Sequence, residues 1–208
     1  MSNAVLPIPP LPIDPKGIEV PLLEIRARLQ TDLQWLTKAY GKCSKQKLQD
    51  RGKNQIIYPA IYVGGIDYLD MRPNEKLGNY TFFDVKDGQK VDRLDGTQEY
   101  DTVAEIGLVA WFKYESIYGA NHERNTVENV ADEIHNSMMK LGLRYGRLEP
   151  LGLYEHPENV YKGFSHREIE DRYNMRPFGC LRINMLLYYD GQGKCSEGNL
   201  QPLIEALT

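Results

Sequence analysis

The densest set of side chains able to hold a metal or move a proton is Glu155, His156, Glu158, His166, Glu168, Glu170 and Asp171. Imidazole and carboxylate groups bind a metal only where three or four converge, usually from short helical or turn spacings. His156 and His166 stand ten residues apart on no common helix face, so a solvated charged loop is expected and no metal. An enzyme would use His156, His166 or Glu168 as acid and base beside this stretch. Asp84 and Lys86, with Glu99 and Glu105 further on, have the residue types of a metal-dependent nuclease, although strand and turn punctuation explains them as well. Cys43, Cys180 and Cys195 lack any neighbouring strand-turn-helix nucleophile elbow, and Gly64-Gly65, Gly191 and Gly193 form no phosphate-cradling loop entering a helix. No catalytic residue, metal or cofactor is therefore expected.

The elements that would position these groups belong to an ordinary globular chain. Its 208 residues fit one domain with an arm and insertions, and 41% hydrophobic and 26% charged content supports a packed core. Fourteen tyrosines are the unusual count, suiting either half-buried interfaces or β-rich structure. A net charge of −4 argues against a general nucleic-acid coat, which would need a basic surplus. Three scattered cysteines indicate neither a disulfide framework nor a zinc ribbon and point to a reducing compartment. The start has no secretory pattern, and no run approaches the roughly 18 apolar residues of a membrane span.

Prolines at 7, 9, 10, 12 and 15 alternate with Val5, Leu6, Ile8, Leu11 and Ile13, which predicts an apolar polyproline arm over residues 1–17. Its restricted backbone makes it cheap to order against a groove. Leu22, Ile25, Leu29, Leu33, Leu36 and Tyr40 step by three or four and predict one long helix to about Gly41, with Glu24, Arg28, Asp32 and Lys38 opposite. Residues 43–54 are basic and read as a solvated loop. Residues 55–63 are β-branched and aromatic, and Pro59 assigns them to an edge or bulged strand. An irregular excursion over 66–79 precedes a strand at 80–85, and a long central strand follows at 102–116. Asn125 and Glu128 bracket the start of a second helix, which Val127, Val130, Ala131, Ile134, Met138 and Leu141 continue. Residues 144–175 read as a charged insertion, extended or with a short helix. Residues 178–189 alternate as a half-buried closing strand, and a tail over 192–208 ends in a short helix at 202–207. The fold class expected is α+β: a mixed or antiparallel sheet of about four strands packed by two amphipathic helices, one domain over 18–191.

This order of elements resembles the tail-terminator or tail-completion proteins of tailed bacteriophages, which form rings at the neck. Val103-Ala-Glu-Ile-Gly-Leu-Val-Ala-Trp-Phe, followed by Thr126-Val-Glu-Asn-Val-Ala-Asp-Glu-Ile, carries most of the likeness: a long strand feeding a capped helix. The arm and the stretches at 66–79 and 144–175 exceed a minimal terminator, and suit a neck or head-tail connector ring such as those of crAss-like phages. The resemblance implies a structural virion subunit rather than an enzyme, assembled in the host cytoplasm into a homo-oligomeric ring of about six or twelve copies. It implies adjacent portal, neck or tail ring proteins as partners, DNA passing through the lumen without specific binding, and no membrane. Leu6, Ile8, Leu11 and Ile13 would strap onto an adjacent subunit or ring, and the first or second helix with the sheet edge near Pro59 and Tyr62 would make lateral contacts. A cytosolic partner-binding module and an uncharacterised hydrolase remain the alternatives from other classes.

Overall fold

The structure, a computed structural model, describes residues 10–11, 15–49, 55–93, 100–140, 142–165, 169, 173, 175–190 and 200–207. Strand β1 (Lys38–Lys42) follows helix α1 (Glu19–Asp32), and β2 (Ser44–Gln49), β3 (Gln55–Gly64) and β4 (Asp67–Asp70) come next. Then run β5 (Tyr80–Val85), β6 (Lys90–Arg93), β7 (Tyr100–Lys113), α2 (Tyr114–Tyr118) and α3 (Val127–Met139). The chain continues through β8 (Arg147–Tyr154), α4 (Pro157–Val160), β9 (Phe178–Tyr189) and α5 (Gln201–Glu205).

The α+β class holds, but the strand number does not: among the described residues there are six strands in one mixed sheet and three in a second. The main sheet runs β1-β5-β7-β9-β8, parallel only between β1 and β5, and β6 pairs the far end of β7. Fourteen-residue β7 is its spine, bonded to β9 over Thr102–Lys113 on one side and to β5 and β6 in tandem on the other. The predicted central strand and closing strand are therefore neighbours, and β5 and β9 have the predicted limits.

One face of the sheet is covered by helices. Ala104, Ile106, Leu108, Ala110 and Phe112 of β7 and Leu181, Ile183, Met185 and Leu187 of β9 alternate onto it. Leu22, Ile25 and Leu29 of α1 and Val130, Ile134 and Met138 of α3 pack against them. Each such large side chain contributes about 1.5–3 kcal/mol by leaving water. Helix α3 starts one residue later than the Asn125 cap predicts, with Thr126 N donating to Asn129 Oδ1 at 2.9 Å.

Helix α1 is shorter than its apolar spacing predicts. It ends at Asp32, and the chain reverses to enter β1, because Gln30 bridges the turn: its Nε2 donates to Leu36 O at 3.3 Å and its Oε1 accepts from Ala39 N at 2.9 Å. Leu33, Leu36 and Tyr40 are all buried as the three-to-four spacing requires, but Leu33 and Leu36 join the helix-covered core and Tyr40 the opposite one. Residues placed opposite the apolar stripe are not simply solvated. Glu24 is buried and accepts from Arg28 at 2.6 Å, from Arg144 N at 2.9 Å and from Tyr145 N at 3.1 Å. The second side of α1, Leu23 and Ala27, is covered by Leu203, Ile204 and Leu207 near α5 and by Leu11. The expected extended Pro-rich arm is not matched: of its residues the structure describes 10, 11 and 15–17, and Leu11 packs against Leu23, Ala27 and Leu207 of its own chain; Leu6, Ile8 and Ile13 lie outside the described residues.

Three further expectations are corrected. The basic stretch after Cys43 is not a loop throughout, since Ser44–Gln49 is exposed strand β2. Residues 66–79 hold β4 and a 3-10 turn at Glu75–Leu77. The insertion at 144–175 begins with edge strand β8, antiparallel to β9, whose register shifts between Pro150 and Gly152. Its polar residues and proline hid the strand because an edge strand needs only one ladder.

Candidate functional site

The other face of the main sheet changes character along its length. At one end Tyr80 and Phe82 of β5, Val109 and Trp111 of β7, and Phe178 and Cys180 of β9 form an aromatic core. Trp111 stacks on Phe178 with centroids 5.2 Å apart and on Tyr80 at 5.8 Å, and Tyr173 meets Trp111 edge-on at 5.7 Å. Two residues further along each strand the same face becomes ionic. Asp84 lies opposite Gly107, which lies opposite Asn184, and Arg182 reaches diagonally across. Arg182 Nη2 donates to Asp84 Oδ2 at 2.8 Å, Nε to Asn184 Oδ1 at 2.7 Å and Nη1 to Val160 O at 3.4 Å. The pair is buried, with 3% and 6% of the side chains exposed. Gly107 permits it: any Cβ there would overlap the guanidinium.

Above this pair opens a cavity of about 270 Å³, lined by Lys45, Asp84, Lys86, Tyr154, Asn159, Lys162, Gly163, Arg182 and Asn184. Four cations therefore face one carboxylate. Lys86 is also ion-paired to Glu105 on β7. Asp84, Lys86 and Glu105, the nuclease-like residue types, do come together, but Asp84 is held by Arg182 and Glu105 by Lys86; Glu99 lies outside the described residues. No group of three or more metal-ligating residues occurs among the described residues.

A second cavity, about 340 Å³, runs beside α1 between Pro10, Leu11, Leu22, Leu23, Arg26, Gly41, Ile61 and Tyr62. Two of the predicted interface residues, Leu11 and Tyr62, thus share one groove. Beyond it the β3–β4 hairpin carries an apolar tip: Ile66 is 92% exposed, and Tyr62 and Tyr68 meet edge-on at 5.6 Å. Positive φ at Gly64 and Gly65 makes the turn. Of the two expectations for Pro59, the edge is wrong, because β3 is the middle strand of β2-β3-β4, while β3 does have an irregularity, a register shift against β4 between Tyr62 and Gly64. The proline is tolerated there because its carbonyl accepts from Met71 N at 2.9 Å just past the end of β4, so its missing N–H also faces that side and costs β2 nothing.

The chain matches no protein-family model and no curated protein.

Of the remaining candidates, His156 precedes α4, and Glu155 has its carboxyl raised by partial burial and by Glu128. His166, Glu168, Glu170 and Asp171 lie outside the described residues, as does Cys195. Cys43 and Cys180 are buried thiols. Desolvation, with Asp84 beside Cys43 and Glu155 beside Cys180, pushes each up to about 12, so both stay protonated at neutral pH. Among the described residues no helix is long and apolar enough to cross a membrane. Sequence reasoning missed Arg182, Lys45 and Lys162 as site residues. The available signals were the basic stretch that holds Lys45 and a charged residue, Arg182, in the polar phase of the closing strand.

Proposed function

We propose that the chain is a structural subunit of a tailed bacteriophage virion, closing into a ring of about six or twelve copies at the head-tail connector or neck, or capping the tail. The observation that carries the reading is a pair of unlike exposed apolar patches on one chain. The first is the hairpin tip of Tyr62, Ile66 and Tyr68. The second is the outer edge of β8, eight residues long and at the end of the main sheet, where Leu151 is 51% and Leu153 40% exposed. Contact between two different patches repeats by rotation and closes into a ring when the angle divides a circle. The long strand β7 leading through α2 to capped helix α3 keeps the order on which the likeness to tail-terminator proteins rests.

In this reading Leu6, Ile8 and Ile13 meet adjacent portal, neck or tail ring proteins, and DNA passes through an acidic lumen without specific binding. The mass of the purified chain at high concentration, with negative-stain images, tests it. Closed rings of about six or twelve copies that fall apart on Ile66→Asp or Leu151→Asp are expected. A chain that stays monomeric at every concentration, alone and mixed with the neighbouring ring proteins, overturns it.

A further inference from the structure

We propose that the cavity over the Asp84–Arg182 pair binds a phosphate group, free or on a small molecule, through Lys45, Lys162 and Arg182. The charge balance is the first argument. Asp84 is committed to Arg182 and Glu105 to Lys86, while Lys45 and Lys162 have no carboxylate within ion-pair distance among the described residues. Lys45 is steered instead by an aromatic ring, its Nζ 5.7 Å from the Phe164 centroid, and it lies against Gly163, where an added Cβ would stand 3.4 Å from that Nζ. Two ammonium groups with no carboxylate partner among the described residues, lining one partly enclosed space, repel each other. A bound dianion removes that cost.

The second argument is a guanidinium held ready. Arg182 is nine-tenths buried, and three of its five N–H groups are engaged by Asn184, Val160 and Asp84, which leaves two for a ligand at the cavity wall. A fork fixed by such bonds loses little freedom on meeting an oxyanion. Tyr154, Asn159 and Asn184 add neutral polar groups to the lining. The walls come from β2, β5, β8, α4 and β9 and surround the space. Nucleic-acid phosphates are instead tracked along open basic grooves with stacking aromatics. A cavity of about 270 Å³ suits a phosphate bearing at most a small organic group.

The site is independent of ring assembly and is tested on the whole chain. Thermal unfolding and phosphorus NMR would be followed while inorganic phosphate or glycerol 3-phosphate is added at constant ionic strength. A saturable rise in Tm is expected, absent with chloride. The double variant Lys45→Gln/Lys162→Gln should lose about tenfold or more in affinity, while its ligand-free Tm is unchanged or higher because the repulsion is gone. Tighter binding of glycerol 3-phosphate would assign the ester, and equal binding the free ion. The proposal is overturned if phosphate and chloride act alike or if the double variant binds as the parent does. It is also overturned if a short single-stranded oligonucleotide binds more tightly through the same lysines, which would make the site a polymer contact.

Discussion

The two faces of the main sheet are built from the same three strands and reach stability differently. Toward α1 and α3, β7 and β9 present aliphatic residues that interdigitate with two helices. Toward the second sheet they present aromatic rings and then, past Val109, a buried ion pair spanning three strands. The first face depends on volume and tolerates conservative exchange. The second depends on partners, since a charge buried without its counterpart is far more costly than a small cavity. The aliphatic face is covered by helices, whereas the ionic end of the other face borders a cavity.

The largest expected effect comes from breaking the pair. Asp84→Ala leaves Arg182 buried without a counter-ion and should cost about 3–5 kcal/mol in denaturant unfolding, while replacing both by Leu and Met should be close to neutral. On the aliphatic face, Leu108→Ala should cost about 2–4 kcal/mol, and Leu108→Met under about 1.5. If Asp84→Ala and the double replacement were equally damaging, the face would depend on shape rather than on charge pairing.

Gly107→Ala comes next. Its methyl would displace the guanidinium, costing about 1–3 kcal/mol by overpacking, whereas Ala110→Gly across the sheet should cost about 1 kcal/mol through backbone entropy. Alkaline pH separates the faces more gently. The Cys43 and Cys180 thiols rise from 9.0 to about 12 on burial, and the Tyr80 and Tyr161 phenols are raised by burial as well. The folded state then keeps protons that the unfolded chain releases, so stability is full below about pH 9 and falls as pH climbs toward 12. Cys43→Ala/Cys180→Ala should flatten that fall, read as Tm against pH. The smallest effect on folding is at the hairpin tip: Ile66→Ser should change stability by less than about 0.5 kcal/mol while weakening assembly.

Legibility in the sequence followed the length and regularity of each pattern. Phe178–Tyr189 alternates for twelve residues and Val127–Met139 keeps one apolar stripe, so both elements are legible in the residues themselves. β1 was absorbed into a helix because Leu33, Leu36 and Tyr40 are spaced as a helix would space them, and only the Gln30 bridge shows the reversal. β2 and β8 were missed because exposed or edge strands carry lysine, glutamate and proline without alternation. The groove that joins Leu11 to Tyr62 has no local signal at all.

Local periodicity was enough to determine the α+β class, the central and closing strands and the capped helix, because each depends on side chains within about a dozen residues of one another. The ion pair and its cavity were decided by tertiary structure alone. Asp84, Gly107 and Arg182 are far apart along the chain, and strand register is what sets a carboxylate, a missing side chain and a guanidinium in one row. A slip of one residue would turn that row to the opposite face of the sheet.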